Sequence, residues 1–180
     1  MDRNPHQIYG LMAEYTEPDA LVAAAQQAYG AGYRKMDAYS PMPVDGLAEA
    51  IGFTRNRLPT LVLIGGILGA LTAYGMMYYS SVYGYPYNIG GRPYHSAPAW
   101  VAITFELTVL FAAFAAVLGM LGLNGLPMPY HPVFNAPGFE RASRNRFFLC
   151  IEATDPKFDR AETRRFLETL AAKSVVEVEP

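Results

Sequence analysis

Two stretches of this chain show no alternation of apolar and polar positions at all. Thr60 to Tyr79 is twenty residues without a charge, and Ala97 to Leu123 holds one ionisable side chain, Glu106. At roughly 1.5 Å rise per residue, such runs match a hydrocarbon core of about 30 Å, so both are expected to be membrane-spanning helices. Pro98 falls in the first turn of the second run, where its missing N–H costs nothing.

Outside these runs the pattern turns periodic. Ile8 to Tyr15 reads as a strand. Thr16 and Asp19 stand in a capping-box relation ahead of the helical spacing Leu21, Val22, Ala25, Tyr29, and Gly30 and Gly32 end that helix. A second strand, Lys35 to Tyr39, is followed by a short helix from Gly46 to Ile51. After the apolar runs the same order returns. Phe147 to Ala153 reads as a strand, then a helix opened by Asp159 and Glu162 buries Phe166, Leu167 and Leu170, and Ser174 to Val178 is a closing strand.

Two β-α-β units of this size predict a split ferredoxin-like (β-α-β)2 domain with the transmembrane hairpin inserted between its halves, an α+β membrane protein. The expected divisions are 1–57 for the first half, 58–123 for the hairpin (spans 60–79 and 97–123), 124–146 for a strap and 147–180 for the second half. Neither half alone has enough apolar surface to offset its chain entropy, so the two are expected to fold together beneath the bilayer. Pro127, Pro129, Pro132 and Pro137 predict an extended, semi-rigid strap that lies across a partner at the membrane surface.

Charge sets the orientation. Arg55 and Arg57 precede the first span and Arg141, Arg144 and Arg146 follow the second, against Arg92 alone between them, so both termini are expected in the cytoplasm. The acidic residues among the first twenty likewise exclude a signal peptide. Tyr78, Tyr79, Tyr83, Tyr85, Tyr87, Tyr94 and Trp100 supply rings for the far headgroup layer. A net charge of −2 leaves no basic footprint for nucleic acid.

Within the first span, Gly65, Gly69 and Ala73 recur every fourth residue and predict a close helix contact. In the second, Ala99, Ala102, Glu106, Val109, Ala113 and Ala116 form a small-residue side suited to protein, with Ala102 and Ala113 as its packing positions. Leu107, Phe111, Phe114, Leu118 and Leu121 form a bulky side suited to lipid. A bare charge at Glu106 costs at least about 2.5–3.5 kcal/mol in the membrane, so the residue is expected to be neutral or paired. It reads either as a proton-linked or subunit-contact group or as a carboxylic acid bonded to a neighbouring helix. No second carboxylate, lysine or histidine in the spans continues a proton path.

Catalytic and cofactor signals are weak. Cys150 is the only cysteine, which excludes an intramolecular disulfide, a haem-attachment motif and a cysteine cluster for zinc or iron–sulfur. Its place between Leu149 and Ile151 suits a buried apolar thiol. His6, His95 and His131 are dispersed, with His6 expected in a tail and His131 in a solvated or backbone-bonded loop. Glu152, Asp155, Asp159 and Glu162 read as capping and turn acids before they read as a catalytic cluster. Catalytic, cofactor-binding and metal-binding residues are therefore expected to be absent.

The chain resembles the ActD family, the two-span subunits of alternative complex III, a bacterial quinol oxidoreductase of respiratory and photosynthetic chains. The resemblance rests on Tyr39-Ser40-Pro41-Met42-Pro43-Val44-Asp45-Gly46-Leu47-Ala48-Glu49-Ala50-Ile51-Gly52, on Ile103-Thr104-Phe105-Glu106-Leu107-Thr108-Val109-Leu110 and on Pro129-Tyr130-His131-Pro132-Val133-Phe134-Asn135, in that order. It implies a cofactor-free subunit in the bacterial inner membrane, with haem c and iron–sulfur clusters in partner subunits. It also implies polytopic quinol-binding subunits as neighbours, quinol oxidation with cytochrome c or a similar acceptor by the assembly, and proton movement as a candidate role for Glu106. The reading that competes with it is a stand-alone membrane sensor whose ferredoxin-like domain binds a ligand.

Overall fold

A computed structural model describes residues 8–54 and 56–180. His6, expected in a tail, and Arg55, expected as a positive flank of the first span, lie outside the described residues. The chain forms two compact units. One takes the chain up to Thr54 together with Pro129–Pro180, and the other takes Arg55–Met128.

The first unit is built on a four-stranded antiparallel sheet of β1 (Gly10–Tyr15), β2 (Met36–Tyr39), β3 (Phe147–Glu152) and β4 (Ser174–Val178), in the order β2-β3-β1-β4. No two neighbours in that order come from the same half of the chain. β1 is hydrogen-bonded to β3 on one side, Ala13 opposite Leu149, and to β4 on the other, Ala13 opposite Val175. Both faces are covered, so every residue of β1 is buried. Leu11, Ala13 and Tyr15 face one core with Phe147, Leu149 and Ile151, while Met12 faces a second core with Phe148, Cys150 and Val178.

The first core is closed by helices. In α1 (Pro18–Ala31), Leu21, Ala24, Ala25 and Ala28 recur at helical spacing and are buried. The predicted capping box is absent. Glu17 occupies the N-cap without a side-chain bond, and Pro18 opens the helix because it has no N–H to satisfy. Gly30 stays inside the helix, and the stop comes at Gly32, whose φ of 105° lets Tyr33 N–H return to Ala28 O at 3.1 Å. The short α2 (Leu47–Ala50) adds Leu47 and Ala50 to the same core. In α5 (Arg160–Thr169), Asp159 caps the Ala161 and Glu162 N–H groups at 2.9 and 2.8 Å. Leu167 is buried, Phe166 is half-buried against the Tyr33 ring, and Thr163 meets the Tyr33 hydroxyl at 3.1 Å.

The second core corrects the strap. The prolines do exclude regular helix, but the segment folds into 3-10 turns at Pro132–Asn135 and Phe139–Ser143 that seal the sheet's other face. Val133, Ala136, Phe139 and Ala142 are buried against Met12, Phe148 and Cys150, so this apolar surface is spent within the unit. Beside it, Glu14 of β1 is 6% exposed and is surrounded by Arg146 Nε at 3.1 Å, Lys173 Nζ at 3.3 Å and Arg141 Nη1 at 3.5 Å. Ser174 Oγ donates to Glu14 at 3.2 Å. One buried carboxylate thus ties β1 to the strap and to β4, and cation pairing offsets its desolvation.

A second acid joins the halves at the other end of the domain. Asp155 is buried, and its carboxylate accepts the N–H groups of Arg34, Lys35 and Lys157 at 2.6, 2.7 and 2.8 Å. Burial alone would raise its pKa. The three backbone donors and the Arg34 charge outweigh burial and hold the carboxyl below the usual range. Because the unfolded value of about 4 is the higher one, this stabilisation is complete above that pH and is lost as pH falls through the folded value. Asp155→Asn is therefore expected to lower the thermal midpoint of the full chain at pH 7 and to lessen its fall in acid. Circular-dichroism melts in detergent would read this, and superimposable acid profiles for the two proteins would contradict it.

Candidate functional site

The second unit is a helical hairpin of α3 (Leu58–Tyr78), extended by a π-helical turn at Tyr79–Gly84, and α4 (Ala97–Leu123). Its two helices pack on each other and leave much of their remaining apolar surface uncovered, with Leu71 65% and Phe105 66% exposed. A soluble core helix would bury such residues. Twenty or more apolar positions turned outward are suited to lipid instead, and both helices are long enough to cross a membrane.

The contact between the helices is backbone-close. A Cβ at Gly65 would stand 2.5 Å from Ala115 Cβ and 3.0 Å from Phe111 O. At Gly69 it would strike Leu107 O, with Phe111 Cβ 2.9 Å away. Ala73, next in the series, is fully buried. The surface that α4 turns to α3 includes Leu107, Thr108, Phe111, Ala112 and Ala115. Leu107 and Phe111, expected to face lipid by their bulk, therefore bring their backbone against the glycines. The physical reason is that a glycine, lacking a Cβ, admits the α4 backbone itself, here the Leu107 and Phe111 carbonyls with Phe111 Cβ.

The small-residue side of α4 has the opposite fate. Ala102, Glu106 and Ala113 are all exposed, and Glu106 has no ion pair or side-chain hydrogen bond among the described residues. At the loop end, His95 is not isolated. Tyr74 Oη lies 2.6 Å from His95 Nε2, and the Tyr74, Tyr78 and His95 rings surround Trp100.

The other concentration of polar groups is on the strap side of the sheet. Val133 N–H donates to His131 Nδ1 at 3.4 Å, and His131 Nε2 lies 3.5 Å from Tyr9 Oη. Tyr9 donates in turn to Glu152 Oε1 at 3.4 Å. Burial, then the Glu152 carboxylate, push the Tyr9 hydroxyl up. The same two causes raise Asp37 on the edge strand, while His131 opposes them. Beside this group runs a cleft of about 470 Å³ lined by Tyr39, Ser40, His131 and Phe134. Cys150 lies beneath, its thiol pushed up to about 12 mainly by burial, which makes it a poor nucleophile at neutral pH. No group of three or more His, Cys, Asp or Glu among the described residues is arranged to hold a metal. Tyr9 and Asp37 carried no signal in the sequence, because only the sheet register brings them to His131 and Glu152.

A sheet-based domain assembled from both ends of a chain, interrupted by two helices able to cross a membrane, defines a membrane subunit with a folded extramembrane part. The family model of the alternative complex III ActD subunit matches residues 9–177, and the chain belongs to that family. No curated protein matches it closely enough to serve as a relative.

The packing predicts a contrast between glycines. Gly69→Val must separate the helices and is expected to cost about 1–3 kcal/mol. Gly75→Val, where nothing lies within 4 Å, is expected to be near neutral. Thermal midpoints of the two variants in the same detergent would test this, and equal losses would contradict it.

Proposed function

We propose that this chain is the cofactor-free, non-catalytic subunit through which the membrane part of alternative complex III is assembled. Quinol oxidation and electron delivery to cytochrome c or a similar acceptor belong to the assembly, with haem c and iron–sulfur clusters in partner subunits and polytopic quinol-binding subunits as the membrane neighbours. The observation that carries this reading is the family match across 9–177, which spans the soluble unit and the hairpin together. The soluble unit is read as ferredoxin-like, a reading supported by its antiparallel order β2-β3-β1-β4 and by α1 and α5 sharing one core.

The protein crosses the bacterial inner membrane twice and keeps both termini in the cytoplasm. The interleaved sheet supports this, because β1 can lie between β3 and β4 only if the chain makes an even number of crossings between them. Arg57, Arg141, Arg144 and Arg146 against Arg92 support the orientation. Glu106, flanked by Ala102 and Ala113 on the uncovered side of α4, is the contact or proton-linked position toward a neighbouring subunit. The cleft beside Tyr39 and His131 favours a second reading, a stand-alone sensor that takes a ligand there.

Purification in mild detergent through a tag on this chain separates the two readings. Co-purifying c-type haem with quinol:acceptor activity is expected; a colourless, inactive protein from membranes that contain the intact complex would favour the sensor. Glu106→Gln is expected to leave recovery of the complex intact and to reduce proton movement coupled to quinol oxidation. Unchanged coupling would leave Glu106 a packing group.

A further inference from the structure

The loop end of the hairpin forms a cleft of about 520 Å³ whose lining combines apolar, aromatic and cationic side chains. Met77, in the last turn of α3, and Ile103, six residues or about 9 Å of helix inside α4, supply apolar walls at membrane depth. Tyr85 and Tyr94 of the connecting loop supply amphipathic rings, and Arg92 supplies a cation. Trp100 forms part of the lining and is only 5% exposed, wedged against Tyr74 and His95 with ring centres 5.3 and 5.1 Å away. That wall is therefore preformed.

Arg92 is the sole Lys, Arg, Asp or Glu between Leu58 and Phe105, so no acid within the loop can neutralise it. Among the described residues it forms no salt bridge. An unpaired guanidinium, amphipathic rings and an apolar wall in one cleft combine the surfaces that suit one ligand class, a phospholipid. We infer that this cleft holds an anionic phospholipid, with its phosphate on Arg92 and its acyl chains along Met77 and Ile103. The guanidinium fork suits phosphate oxygens, and tyrosine hydroxyls add donors at the same level. The bound lipid extends the surface that the hairpin presents to its neighbours and fills a hollow that would otherwise face the bilayer.

The inference rests on the membrane placement of the hairpin and not on membership of the complex. Loss of lipid binding would leave the assembly reading intact, and a failed co-purification would leave lipid binding intact. The test is native mass spectrometry of the full chain in detergent, titrated with phosphatidylglycerol and, separately, phosphatidylcholine. One retained phosphatidylglycerol is expected, in preference to phosphatidylcholine. Arg92→Gln is expected to weaken retention about tenfold, whereas Arg144→Gln, outside the cleft, leaves it unchanged. Ile103→Trp, which fills the apolar end but keeps the cation, is expected to weaken it as well. Equal retention by wild type and Arg92→Gln would overturn the proposal. So would displacement of the lipid by millimolar inorganic phosphate, which would make the site one for the free ion, or protection of Arg92 by a protein subunit in the intact complex.

Discussion

Every strand contact in the soluble unit joins one end of the chain to the other. β1 has no partner within its own half, and β3 and β4 are held apart by β1. The first half thus contributes two strands that cannot pair without β3, and the second half contributes two that cannot pair without β1. The sheet forms only once the segment from about 55 to 128 has been closed as a loop, and a hairpin of two packed helices closes it at far less entropy than a flexible chain of that length. The membrane element is therefore part of the folding problem of the soluble one. Glu14 and Asp155 reinforce the same seam, since each is bonded to groups more than a hundred positions away.

The hairpin solves its own problem by a division of surfaces. Lipid supplies no hydrophobic drive for helix association, so α3 and α4 hold together through close contact at Gly65 and Gly69, which the Leu107 and Phe111 carbonyls and the Phe111 and Ala115 Cβ atoms approach. That leaves Ala102, Glu106 and Ala113 on the uncovered side. A carboxyl group on an uncovered membrane face is costly when bare, and a neighbouring subunit is the natural source of its partner. Contact within the chain thus uses one side of α4, and we propose that the side carrying Glu106 is the one that meets a neighbouring subunit.

Much of this was legible in the residue pattern. The spans stood out because length and apolarity are local properties, and the strand and helix order stood out because both periodicities are local as well. The strap was read only as far as its prolines allowed. Its apolar residues, Val133, Ala136 and Phe139, have no period of their own, because 3-10 turns cover a sheet face already created by distant strands. Side-chain size alone cannot show the backbone approach at Leu107 and Phe111, because that approach depends on the glycines opposite them. Glu14, Tyr9 and Asp37 gave no signal, since a lone acid or tyrosine in a strand reveals nothing of the cations or imidazole that register brings beside it.

The most direct test of the account is photo-crosslinking in native membranes from a reactive residue placed at Ala102, beside Glu106, with the same probe at Leu63 for comparison. Both positions are exposed in this chain. The probe at 102 is expected to form a covalent adduct with another membrane subunit of alternative complex III. Adducts to lipid alone at 102, from membranes in which the complex is intact, would contradict it.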